Sequence, residues 1–100
     1  MDCCKVENGV KVTIRDDEEK NNLKKRLAKI EGQIRGISKM VDEDRYCDDI
    51  LIQLSAVDSS IKSLANLILK RHLHTCIVNN IKEGNEEVLD EIVELFKRFQ

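Results

Sequence analysis

The sequence predicts an all-α fold of three helices per chain. Three apolar runs carry this expectation. From Cys47 to Ile81 there is no Gly and no Pro, and Ile50, Leu54, Val57, Ile61, Leu64 and Ile68 recur in alternating steps of four and three. That spacing is the stripe of an amphipathic helix. Ahead of it, Leu23, Leu27, Ile30, Ile34, Ile37 and Val41 follow a nearly heptad spacing. After Gly84 and Asn85, which together are a helix stop signal, Val88, Leu89, Ile92, Leu95, Phe96 and Phe99 form a third apolar face.

In chain order, residues 1–16 read as a mobile N-terminal arm or short extended piece. Val10, Val12 and Ile14 alternate with polar residues, a weak strand signal. Cys3 and Cys4 are adjacent, so this arm carries two possible extra thiols that can chelate a soft metal or be incidental. Helix one should run from about Asp17 to Val41, with Asp16 to Glu19 as an acidic first turn that the helix dipole favours. Gly32 and Gly36 lie inside it, and each costs about 1 kcal/mol against Ala. They make sense if another backbone packs closely there, or if the helix bends. Asp42 to Tyr46 is a short connection, so helix two should fold back antiparallel on helix one, with Asp44 as its cap. Helix two should reach about Lys82, and helix three should span Glu86 to Phe99.

Length and composition narrow the function. One hundred residues allow one thin domain, and with 36% charged and 3% aromatic residues its core is modest. Long helices of this composition gain stability by associating, so an obligate oligomer is expected. No apolar run reaches 18 residues, and residues 1–20 lack the apolar core of a signal peptide. We therefore expect a cytoplasmic protein with no membrane partner, whose four Cys stay reduced and serve metal binding or redox sensing. No phosphate-binding loop, nucleophile motif or hydrolytic grouping is present, so we expect neither an enzyme nor a small-molecule substrate. The net charge is −2, yet residues 20–39 hold seven Lys or Arg against one acid, and residues 83–94 hold six acids and no base. A basic first helix suits a polyanion, although a merely solvated face would look the same.

Three residues stand out as ligands. Cys47 lies at one end of the central stripe, and His72 and Cys76 lie at the other, four apart and so on one face. Cys47 and His72 are 25 residues apart. At about 100° per residue they point in nearly the same direction, yet roughly 37 Å separates them along one helix. Two such helices packed antiparallel would bring Cys47 of one beside His72 and Cys76 of the other, giving two identical sites per two-fold dimer. Two thiolates and an imidazole suit Cu(I), or Zn(II) with a fourth ligand. The alternative is a small core cysteine and a solvated histidine.

The run Arg26-Leu27-Ala28-Lys29-Ile30-Glu31-Gly32-Gln33-Ile34-Arg35-Gly36-Ile37 resembles the opening helix of the copper-sensitive operon repressor (CsoR-like) family. So do Asp44-Arg45-Tyr46-Cys47, Gln53-Leu54-Ser55-Ala56-Val57, and His72 with Cys76. The resemblance runs from about Leu23 to Phe99. It implies an antiparallel four-helix-bundle dimer built on helices one and two, two of which pair into a disc-shaped tetramer. It also implies that 17–100 is a single DNA-binding and metal-sensing domain. The apo form would bind operator double-stranded DNA, and ligand binding would release it and derepress efflux or resistance genes.

The family contains several kinds of sensor, and the residues choose among them by resemblance. Copper sensors carry Cys, His and Cys where this chain has Cys47, His72 and Cys76, which implies Cu(I) as the cofactor. Nickel-type members add a His ahead of helix one, near the place of Arg15, and here no His precedes His72. Persulfide sensors lack the His, and formaldehyde sensors lack the second Cys. A persulfide or redox sensor using Cys47 and Cys76 remains the alternative. Tyr46 and Glu91 match outer-shell positions that couple metal to DNA release, with a one-residue gap near Gly84. Their role would be to hydrogen-bond the far nitrogen of His72, though Tyr46 could instead anchor its loop. For DNA, Lys25, Arg26 and Lys29 come first, then Gln33, Arg35 and Lys62. The cations would neutralise phosphates, and Gln33 could touch a base or pack a helix crossing. A reading from another class is a copper buffer without a DNA role.

Overall fold

A computed structural model of the chain describes residues 4–74, 82, 84 and 87–99. A hairpin is followed by three helices: β1 (Cys4–Glu7), β2 (Val10–Thr13), α1 (Asp17–Asp42), α2 (Cys47–His72) and α3 (Glu87–Arg98). The three expected helices are present. The continuation of helix two over 75–81 lies outside the described residues, and a π turn follows α2 at 73–74.

The N-terminal segment contains an antiparallel hairpin rather than one extended piece. Cys4 pairs with Thr13, and Glu7 with Val10. Asn8 and Gly9 make the two-residue turn, with φ of 52° and 79°. Positive φ at both positions is what a type I′ turn requires, and Asn-Gly is the pair that supplies it at least cost. The turn chemistry, rather than the weak Val10-Val12-Ile14 alternation, decides this structure.

α1 begins as expected. Asp16 precedes it, Glu19 follows three residues later in capping-box spacing, and Asp17, Glu18 and Glu19 sit at the positive end of the helix dipole. Its end corrects one expectation. Asp44 does not cap α2. It has φ 53°, and the amides around it close α1: Arg45 N–H donates to the Met40 carbonyl at 3.0 Å and Asp44 N–H to the Val41 carbonyl at 3.1 Å. This pair of bonds is the Schellman motif, with Asp44 in the left-handed position that Gly usually fills. Asp tolerates that conformation better than most residues. Tyr46 starts α2 instead, its carbonyl accepting from the amides of Asp49 at 3.1 Å and Ile50 at 3.3 Å. We expect Asp44→Val to lower stability by about 1–2 kcal/mol, because a β-branched residue is strained at φ 53°. Asp44→Gly should stay within about 0.5 kcal/mol of the parent. Urea unfolding at fixed protein concentration measures both.

The chain divides into two compact units, residues 17–64 and residues 1–16 with 65–100. The segment expected as a separate arm is therefore grouped with the C-terminal part of the chain. In the first unit α1 and the start of α2 form an antiparallel helical hairpin. Lys25 to Gln33 share one groove with Ser59 to Leu64, and these stretches are about equally far from the turn. Ile30, Val57 and Leu64 are its buried apolar residues. In the second unit Leu69 and Ile92 are buried together, with Leu73 packed on them.

Much of each apolar stripe stays exposed in the single chain. Leu27 and Ile34 are each 52% exposed, Val41 57% and Leu54 47%, and no described side chain is fully buried. These stripes therefore stay largely unburied among the described residues. Gly32 and Gly36 fit the same picture. A Cβ at Gly36 would meet nothing within 4 Å, and one at Gly32 would meet only the Arg35 side chain at 3.8 Å. The close backbone neighbour that these glycines suggested is not supplied by the described residues.

Candidate metal centre and nucleic-acid interface

Cys47 is the first residue of α2 and His72 the last. The Cys47 thiol is free and exposed, and His72 is half-buried. Tyr46, beside Cys47, is 68% exposed. Cys76, Cys3 and the side chain of Cys4 lie outside the described residues. Among the described residues no group of three His, Cys, Asp or Glu could hold a metal ion. A thiol and an imidazole at opposite ends of one helix stand too far apart to meet within that helix. Glu91 is exposed on α3.

His72 lines an apolar cavity of about 340 Å³, shared with Arg15, Leu69, Leu95 and Phe99. Arg15 leads from the hairpin into α1, so this segment reaches the wall on which His72 stands. A guanidinium stays protonated and offers no lone pair to a metal. Among the described residues that line the cavity, His72 brings the imidazole and Arg15 brings no ligand.

The basic residues separate into two kinds. Lys25, Arg26, Lys29 and Gln33 line a groove of about 590 Å³ that is walled on the other side by Ser59, Ser60 and Ser63, with Ile30 and Leu64 between them. Helical spacing explains the grouping, since positions 25, 26, 29 and 33 fall within about 100° of one another around α1. Outside the groove, Arg35 pairs with Glu31 at 3.2 Å and Lys62 with Asp58 at 3.1 Å. Among the described residues, Lys25, Arg26 and Lys29 make no ion pair, whereas Arg35, Lys39, Arg45, Lys62 and Lys97 do. The groove thus concentrates uncompensated positive charge. Gln33 Oε1 is buried without a hydrogen-bond partner, a cost of about 1–3 kcal/mol until a donor reaches it. Ser59, Ser60 and Ser63 were not expected from the sequence, where serines on α2 carry no signal until α1 is placed opposite them.

Residues 19–98 match the model of the metal-sensitive transcriptional repressor family. The chain belongs to this family. This repressor is 44% identical over 86 residues to the copper-sensing transcriptional repressor CsoR of Bacillus subtilis (strain 168), covering 85% of each chain. It is 46% identical over 67 residues to the copper-sensing transcriptional repressor RicR of Mycobacterium tuberculosis (strain ATCC 25618 / H37Rv), covering 67% of this chain and 70% of that one. Its fold matches the crystal structure of the copper-sensing repressor CsoR with Cu(I) from Geobacillus thermodenitrificans NG80-2, with a TM-score of 0.80 and 42% identity over 88% of this chain and 93% of that one. The nickel-responsive transcriptional regulator InrS also shares the fold, with a TM-score of 0.69 and 40% identity over 87% of this chain and 99% of that one. No helix among the described residues is long and apolar enough to cross a membrane.

Proposed function

We propose that this repressor senses Cu(I). Its apo form binds operator DNA, and Cu(I) releases it to derepress copper efflux or resistance genes. Cys47 of one protomer would hold the ion together with His72 of the partner subunit and Cys76 of the partner subunit. A dimer of antiparallel hairpins, paired into a tetramer, supplies such sites. The apolar stripes left exposed on α1 and α2 support that association. Two thiolates and one imidazole give Cu(I) the soft, low-coordinate ligation it favours.

The observation that carries copper over nickel is Arg15. The two fold matches include a copper sensor and a nickel-responsive regulator, so the fold does not choose between them. Ni(II) takes more nitrogen ligands and a higher coordination number. Here the described N-terminal residues sharing the cavity of His72 are Thr13 and Arg15, neither of which offers a nitrogen lone pair, and the chain's other histidine is His74, two residues further on. Tyr46 and Glu91 would fix the orientation of the ligating imidazole from outside.

α2 links the two activities. It bears Cys47 and His72 at its ends and the serine wall of the groove between them. Ligation of those ends within an assembly therefore bears on the element that faces DNA.

The alternative inducer is a persulfide acting on Cys47 and Cys76. His72→Ala separates the two. It should raise the Cu(I) concentration needed for operator release by more than about 100-fold, beyond the usual cost of an outer-shell change. Release by polysulfide should persist. Weak Cu(I) binding by the parent, with operator release by polysulfide alone, would move the protein to the sulfur-sensing reading.

A further inference from the structure

We propose that Ser59 and Ser63 of α2 contact the phosphates of the DNA backbone, forming with Lys25, Arg26 and Lys29 of α1 a two-walled phosphodiester cradle. This rests on the operator-binding reading above and extends the interface from the basic helix to the central one.

The composition of the groove carries the assignment. Among its lining residues there is no carboxylate, and three cations face three hydroxyls across it. None of the three cations makes an ion pair among the described residues. A phosphodiester accepts hydrogen bonds and donates none, so it needs charge together with N–H or O–H donors. The serine wall can donate. Ser60 already gives its hydroxyl proton to the Ala56 carbonyl at 3.0 Å, which leaves Ser59 and Ser63 as the donors on that side. Positions 59 and 63 are one helical turn apart and so share a face, as Lys25 and Lys29 do on α1. Two helices carrying matched donor pairs one turn apart can follow successive phosphates of one strand.

A hydroxyl contact to phosphate differs measurably from a cationic one. Removing it should weaken binding without changing the number of counterions released. The test measures Kd for the operator duplex and for a random duplex of equal length, as a function of salt, for the full chain. Ser59→Ala with Ser63→Ala should weaken both duplexes alike by about tenfold and leave the salt slope unchanged. Ser63→Asp, which places a carboxylate against the phosphate, should cost more than Ser63→Ala. Ser59→Thr with Ser63→Thr keeps both hydroxyls and should restore binding. Alanine suits a helix at least as well as serine, and unchanged Cu(I) stoichiometry confirms an intact fold.

A double alanine variant within about twofold of the parent on both duplexes overturns the cradle. A loss confined to the operator also overturns it, because the serines would then be reading bases. If the parent protein itself fails to bind its operator, the operator-binding reading falls, and the serine variants play no part in that outcome.

Discussion

Cys47→Ala is expected to yield a repressor that copper cannot release. Operator affinity should stay close to that of the parent, because Cys47 lies at the first position of α2, away from the groove-lining segment 59–64. Cu(I) affinity should fall by more than about 100-fold, since removing a direct ligand exceeds the usual cost of an outer-shell change. The exposed, free Cys47 thiol also explains why the substitution should leave the fold intact. Operator titration with and without Cu(I), monitored by fluorescence anisotropy, reads both quantities. Normal copper-induced release from Cys47→Ala would remove this residue from the sensor.

The second large effect is electrostatic. Replacing Lys25, Arg26 and Lys29 together with Ala should flatten the dependence of log K on log salt by about three, one unit for each lost phosphate contact. Operator affinity at moderate salt should drop by at least about 100-fold, since hydrogen bonds to charged groups are the costly ones to lose. Arg35→Ala with Lys62→Ala should lose less. Those two cations already face Glu31 and Asp58 one turn away and stand outside the groove. Equal salt slopes for the triple variant and the parent would mean that the groove does not meet the phosphates.

Most of the fold was legible in the sequence because a four-three apolar spacing has one good solution, a helix with a buried stripe. α1 and α3 start and stop within a residue of expectation. Two local features were misjudged, and both turn on left-handed backbone. Asn8-Gly9 encodes a hairpin turn more strongly than the surrounding alternation encodes strands. Asp44 looked like a cap because Asp caps helices well, but a four-residue connection that closes α1 with a Schellman motif needs a left-handed residue, and Asp44 meets that need.

The candidate site was legible to a different degree. Cys47 and His72 announce themselves by residue type, and helical geometry alone shows that one chain cannot bring them together. Four of the six DNA candidates, Lys25, Arg26, Lys29 and Gln33, share one groove. The neutralised cations also carried a sequence signal: Glu31 and Asp58 stand four residues before Arg35 and Lys62, whereas no acid stands at that spacing from Lys25, Arg26 or Lys29. The serine wall was hidden. Serines on a polar helix face mean little until a basic helix is placed opposite them.

The most direct test of copper sensing is X-ray absorption on the anaerobically Cu(I)-loaded protein, with a parallel titration of operator binding. The expected result is two sulfurs and one nitrogen around each copper, with DNA released near one copper per protomer. A sulfur-rich site would bring in Cys3 and Cys4. Tight Cu(I) binding with operator affinity unchanged would contradict the central claim.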